Sequence, residues 1–169
     1  MKPLVLLDVD GVLNPTGHPP TPDFRRYQCT VDGHAYTVHL NPRHGPRLLE
    51  LALRTGAELV WATTWEEHAN EWIAPRLGLP RLPVVALGRD RSSEHGEMFK
   101  TRYVADHVGR RPFVWFDDQV YQEDDDYLRA HQGLTDFLLV HVPAARGLTS
   151  EHLARASEWL TLTGFSQGS

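Results

Sequence analysis

Lysine is nearly missing from this chain. Of its 17 basic residues fifteen are arginine, and the two lysines are Lys2 and Lys100. Cysteine is scarcer still: Cys29 stands alone, which excludes an intrachain disulfide framework and points to a reducing, cytoplasmic setting. No apolar run is long enough to cross a bilayer, and the four aliphatics before Asp8 are too few for a secretory core, so neither a leader nor a membrane partner is expected. Positive charge is not in excess. The formal net charge is −5, so no strong cationic field advertises nucleic acid or an anionic membrane. The pattern G-x-x-x-x-G-K-[ST] is absent, which speaks against a kinase built on a phosphate-binding loop. What remains is an ordinary globular composition over 169 residues, enough for one domain with a sizeable core.

Short apolar runs punctuate the chain. LVLLDV (4–9) suits a strand buried on both faces. YQCTV and HAYTVHL flank Asp32-Gly33, a hairpin signal with a tight primed turn. Pro46 fits the first turn of a helix over RLLELALRT that Gly56 stops. ELVWAT (58–63) reads as the second buried strand, and Thr64-x-x-Glu67 as a capping box for a helix ended by Gly78. VVAL (84–87) predicts a third strand and KTRYVADHV a helix closed by Gly109. PFVWF (112–116), a helix near DDDYLRAH, FLLVHV (137–142) and a helix from Ser150 to about Leu162 complete the series. The run EDDD (123–126) reads as a solvated first helical turn favoured by the helix dipole. Strands alternating with helices predict an α/β fold: one Rossmann-like three-layer domain over 1–162, with a mainly parallel central sheet. A small β-hairpin flap at about 24–41 follows the first strand, and 163–169 reads as a flexible tail.

Open parallel sheets bind ligands beyond the carboxyl ends of their strands. Asp8 and Asp10, Thr63 and Thr64, and Asp117 and Asp118 all follow such ends, and Lys100 opens a helix near the same edge. Asp8 and Asp10, two apart in extended backbone, tend to share a face. Bringing them beside Asp117 and Asp118 is repulsive unless a cation intervenes, and an all-oxygen donor set suits Mg²⁺ with a substrate phosphate. Phosphoryl transfer needs a nucleophile, charge neutralisation and a proton donor for the leaving group. A carboxylate can be that nucleophile.

DVDGV, a strand-end threonine, a later lysine and an Asp-Asp pair after another strand resemble, in that order, the haloacid dehalogenase-like (HAD) hydrolase superfamily. The resemblance covers residues 8–118. It implies Asp8 as nucleophile and Asp10 as the acid that protonates the leaving group and then activates water. It implies Thr63 on a phosphoryl oxygen, with Thr64, which the capping box otherwise claims, as the alternative at the same site, and Lys100 neutralising the phosphate and Asp8. Mg²⁺ would be held by Asp8, Asp117 and the Asp10 carbonyl, with Asp118 as a further ligand or a partner of metal-bound water. An acid two residues after the nucleophile marks the phosphatases of the superfamily rather than its pumps or dehalogenases. No cap domain fits between these motifs, so the site is expected to be open, with a phosphorylated small molecule or a nucleic-acid end as substrate. The WATTW segment also resembles the phosphatase-like domains of RNA-repair proteins, although the acidic balance argues against tight nucleic-acid binding.

Other readings weigh less. A response-regulator receiver would place its phosphoacceptor Asp after the third strand, where this chain carries threonine. A catalytically silent module binding Mg²⁺ or phosphate would not need Asp8, Asp10, Lys100 and Asp117 together. The ten histidines lack metal-ligand spacing. Trp65 either stacks on a substrate ring or packs on the sheet. Arg25-Arg26 and Arg43/Arg47 are candidates for a second phosphate or a nucleic-acid backbone, with scattered surface arginines the commoner case.

Overall fold

A computed structural model describes residues 1–131, 134 and 136–165. Four parallel strands form the central sheet: β1 (Leu4–Leu7), β4 (Glu58–Trp61), β5 (Phe113–Asp117) and β6 (Phe137–His141). Their spatial order is β4-β1-β5-β6, with Leu4 beside Glu58 on one flank and Phe113 on the other. β2 (Arg25–Val31) and β3 (His34–Leu40) make a separate antiparallel hairpin. Its turn residues Asp32 and Gly33 have φ of 50° and 78°, the left-handed pair that a primed turn requires. The α/β architecture with a flap-like hairpin after β1 is therefore present.

Side chains alternate across the sheet, as strand geometry demands. Val5, Leu7, Leu59, Trp61, Val114 and Phe116 point to one face, where α1 (His44–Thr55) and α5 (Ser150–Phe165) pack. Leu4, Leu6, Val60, Phe113 and Trp115 point to the other, against α3 (Lys100–Val108) and α4 (Gln122–Ala130). Both faces are covered, which is why the strands read as continuous apolar runs rather than alternating ones. α1 ends at Gly56 in the left-handed conformation, which glycine adopts without a Cβ penalty.

Three local expectations fail, each for a stated reason. The segment 84–87 is not a strand but a single bridge, Trp61 to Val84. Pro83 has no N–H to extend the ladder, and both backbone groups of Leu82 are bonded to the Asn70 side-chain amide at 2.8 Å. The capping box on Thr64 does not form. Thr63 instead accepts the Trp65 N–H on its own Oγ1 at 3.2 Å, and Glu66 turns back with φ of 46°. The helix beyond widens into a π segment, Ala69–Ile73, before the short α2 (Ala74–Leu77). Pro75 lacks the N–H that an α-helical bond to residue 71 would use, and the wider turn accommodates it. Finally, the acidic run at 123–126 is not solvated throughout. Asp124 is 1% exposed, accepting from Met98 N–H at 2.7 Å, the Thr101 hydroxyl at 2.6 Å and Tyr121 N–H at 2.9 Å.

α5 runs to Phe165, past the expected end near Leu162; residues 166–169 of the expected tail lie outside the described residues. Among the described residues no helix is long and apolar enough to cross a membrane.

Candidate active site

The carboxyl end of β1 breaks abruptly. The Val9 carbonyl accepts the N–H groups of Val12, Leu13 and Asn14, and Gly11 N–H bonds the Asn14 carbonyl at 2.8 Å. This knot requires φ of 80° at Gly11. A Cβ there would sit 2.5 Å from Asp118 Cγ, so glycine is needed both for the turn and for the close approach of the two segments.

The knot leaves Asp8 and Asp10 in different surroundings. Asp8 is buried. Its Oδ1 accepts Val9 N–H at 2.8 Å, and its Oδ2 lies 3.1 Å from Lys100 Nζ. The Asp10 carboxylate faces outward, accepting from Asn14 Nδ2 and Trp65 Nε1, each at 2.9 Å. It lies at the mouth of a cleft of about 350 Å³ walled by the hairpin residues Tyr36 and Thr37 and by Thr64, Trp65 and His68. Tyr36 and Trp65 are 5.9 Å apart, centroid to centroid. Asp10 and Trp65 thus meet across 55 residues, a pairing no sequence spacing announces. The only signal was the position of Trp65 beside two threonines at a strand end.

β5 delivers the remaining carboxylates. Asp117 is fully buried, with Oδ2 2.6 Å from Lys100 Nζ and Oδ1 accepting Gln119 N–H at 2.9 Å. Asp118 stands next to it, half-buried, and one carboxylate oxygen from each of Asp8, Asp117 and Asp118 lies within 4.8 Å of the others. Lys100 enters from the first turn of α3, 4% exposed, with a third bond to the Ala62 carbonyl at 3.1 Å. Asp124 holds that turn in place through Met98 and Thr101. The predicted residues Asp8, Lys100, Asp117 and Asp118 therefore converge. Asp10 stands at their rim with its carboxylate turned to the cleft, Thr63 is buried at the end of β4, and Thr64 lies exposed in the cleft wall.

The electrostatics of this cluster are unbalanced. One ammonium faces three carboxylates. Burial pushes the Asp8 carboxyl up to about 8, Lys100 opposes this, and the Asp117 charge adds to it. Burial and then Asp117 raise Asp118 as well. Burial alone would lower Lys100, but Asp8 and Asp117 together outweigh it and hold the ammonium above its usual range. With all three carboxylates ionised the niche would hold two surplus negative charges, and a cation is what would let them ionise together. A donor set made only of oxygens suits a hard cation.

Comparisons with known proteins place the chain in a family. The family described as "HAD domain in Swiss Army Knife RNA repair proteins" matches residues 4–153. Among solved structures, one from Legionella pneumophila described as a HAD superfamily (subfamily III A) hydrolase is 16% identical, with a TM-score of 0.44 over 98% of this chain and 90% of that one. No curated protein matches.

Proposed function

From the premise that the chain belongs to this family of HAD domains, we propose that it is a Mg²⁺-dependent phosphomonoesterase working through an aspartyl phosphate on Asp8. The observation that carries the reading is the ion cluster, Lys100 Nζ within 3.1 Å of Asp8 and 2.6 Å of Asp117 with Asp118 alongside. A purely structural core would rarely bury so many like charges.

Asp8 Oδ attacks phosphorus, forming the acyl phosphate as the bond to the leaving oxygen breaks. Asp10, at the cleft mouth, gives that oxygen its proton. Asp10 then takes a proton from water, whose oxygen attacks phosphorus and returns Asp8 as carboxylate with inorganic phosphate released. Lys100 orients Asp8 and offsets charge on the phosphoryl oxygens. The Thr63 oxygen is occupied by Trp65 N–H, which leaves the hydroxyl proton for a phosphoryl oxygen. Asp8, Asp117, the Asp10 carbonyl and Asp118 would hold Mg²⁺, which supplies charge neutralisation on the transferring group. The open cleft beside Asp10, walled by Tyr36 and Trp65 and with no cap domain above it, takes the leaving group. An end of a nucleic-acid strand is the substrate favoured by the family's association with RNA repair.

The test is Mg²⁺-dependent phosphate release from nucleotides, sugar phosphates and 3′- or 5′-phosphorylated oligonucleotides, with Asp8→Asn in parallel. Acid quenching should trap an alkali-labile phosphoprotein in the native chain alone. Release that survives Asp8→Asn would refute the aspartyl-phosphate route.

A further inference from the structure

A second cleft opens on the same edge of the sheet, on the face covered by α1 and α5. It encloses about 360 Å³ and is lined by Arg43, Arg47 and Arg146 together with His44, Thr149 and Ser150. Among the described residues none of the three arginines takes part in an ion pair. The only carboxylate in the lining is Asp23. Arg47 donates to the Ser150 hydroxyl at 2.5 Å, but among the described residues none of the three guanidiniums has a carboxylate partner to offset their mutual repulsion, in a chain of net charge −5.

The backbone adds to the field. α1 begins at His44 and α5 at Ser150, so two helices of 12 and 16 residues present their N-terminal ends to this cleft. Each carries a partial positive charge there. His44 lines the cleft while 95% of its surface is buried, and its Nδ1 has no partner. The cleft is also tied to the catalytic knot. Leu148 N–H bonds the Val12 carbonyl at 2.7 Å, and Thr16 N–H bonds the Ala144 carbonyl at 2.8 Å.

We propose that the Arg43–Arg47–Arg146 cleft binds internucleotide phosphates of a single-stranded polynucleotide whose terminal phosphate is presented to Asp8. The inference rests on the phosphatase reading for its purpose but not for its test. Guanidiniums suit the task because their planar donors grip phosphate oxygens in pairs. The acidic average of the chain is no obstacle, since the strand meets the local field and not the mean.

The probe is a fluorescent ten-nucleotide RNA with hydroxyl ends, titrated by anisotropy against the full chain in EDTA, where no turnover is involved. Arg43→Gln/Arg47→Gln/Arg146→Gln should weaken binding at least tenfold. Three lost contacts should also flatten the slope of log K against log salt by about 2, at roughly 0.7 per phosphate on a single strand. Arg129→Gln on the opposite face, where Arg129 is already paired with Asp125, should change little. Inorganic phosphate should compete only weakly, and a phosphoserine peptide of equal charge should bind less well. Unchanged binding in the triple variant, an equal loss in the Arg129 control, or equal affinity for the peptide would overturn the proposal. Phosphate release from small esters without any strand binding would sink this site and leave the phosphatase. Arginine-dependent strand binding without phosphate release from any substrate would do the reverse.

Discussion

Lys100→Met is the most informative single change. The ammonium is 4% exposed and bonded to Asp117 at 2.6 Å, Asp8 at 3.1 Å and the Ala62 carbonyl at 3.1 Å. Methionine has nearly the same length and no charge, so the cavity stays filled while the carboxylates lose their counterion. Removing one partner of a buried pair costs about 3–5 kcal/mol, because the other charge is left uncompensated. In a chain of this size that corresponds to a fall in Tm of about 6–20 °C. The measurement is urea and thermal unfolding in EDTA, since a bound cation would stabilise whichever form it occupies. Lys100→Met/Asp117→Asn should recover part of the loss, because both members of the pair are then neutral, with a coupling energy of about 0.5–3 kcal/mol across the cycle. A loss below about 0.5 kcal/mol in the single variant would be the signature of a solvated surface lysine, and would refute both the buried cluster and the charge argument built on it. Activity, if the phosphatase reading holds, should drop by about 10²–10³.

Three further outcomes follow from other parts of the site. Trp65→Phe keeps the ring but removes the donor to Asp10 Oδ2, so kcat should fall by about 3–30-fold with Tm unchanged; an unaltered kcat would deny Trp65 its positioning role. Gly11→Ala combines a left-handed φ of 80° with a Cβ 2.5 Å from Asp118 Cγ. It should cost about 1–3 kcal/mol and raise the Mg²⁺ concentration for half-maximal activity, and an unchanged Mg²⁺ requirement would show that Asp118 is not pressed into the cluster. His44 supplies a pH test. Burial, against a lift from the Leu148 backbone, lowers it from 6.5 to about 4, so below 6.5 the unfolded chain takes a proton that the folded chain refuses. Its contribution is whole above pH 6.5 and is lost between 6.5 and 4, about 3 kcal/mol in all. His44→Leu should remove that loss, and parallel pH profiles for the two proteins would contradict it.

Much of this was readable from residue order because buried parallel strands are written as unbroken apolar runs. LVLL, ELVW, FVWF and FLLV each announce a strand without reference to their partners, and the polar residues that follow them collect at one edge by topology alone. What stayed illegible depended on contacts across long stretches of chain. Thr64 and Glu67 satisfy the capping pattern, but the local turn is taken by Thr63 and the left-handed Glu66. VVAL has strand composition, yet the Asn70 amide occupies the backbone next to it and Pro83 cannot extend the ladder. EDDD looks like solvent-facing charge, and nothing local marks Asp124 as the buried acceptor of three donors. The arginine cleft was half visible: Arg43 and Arg47 lie one turn apart at the start of α1, but Arg146 joins them only after three further strands of the sheet.

The strand order carries a consequence for synthesis. β1 is made before every other strand of its sheet and lies between β4 and β5, whose pairing residues begin at Glu58 and Phe113. Until both have been translated, Leu4–Leu7 has an unpaired edge. A nascent chain stopped between Lys100 and Asp117 carries Asp8 and Lys100 but lacks the strand that holds them in register. Such fragments should be sticky and inert rather than partly active. The price of placing chemistry at the centre of the sheet is a long interval in which the most apolar segment has nothing to pair with.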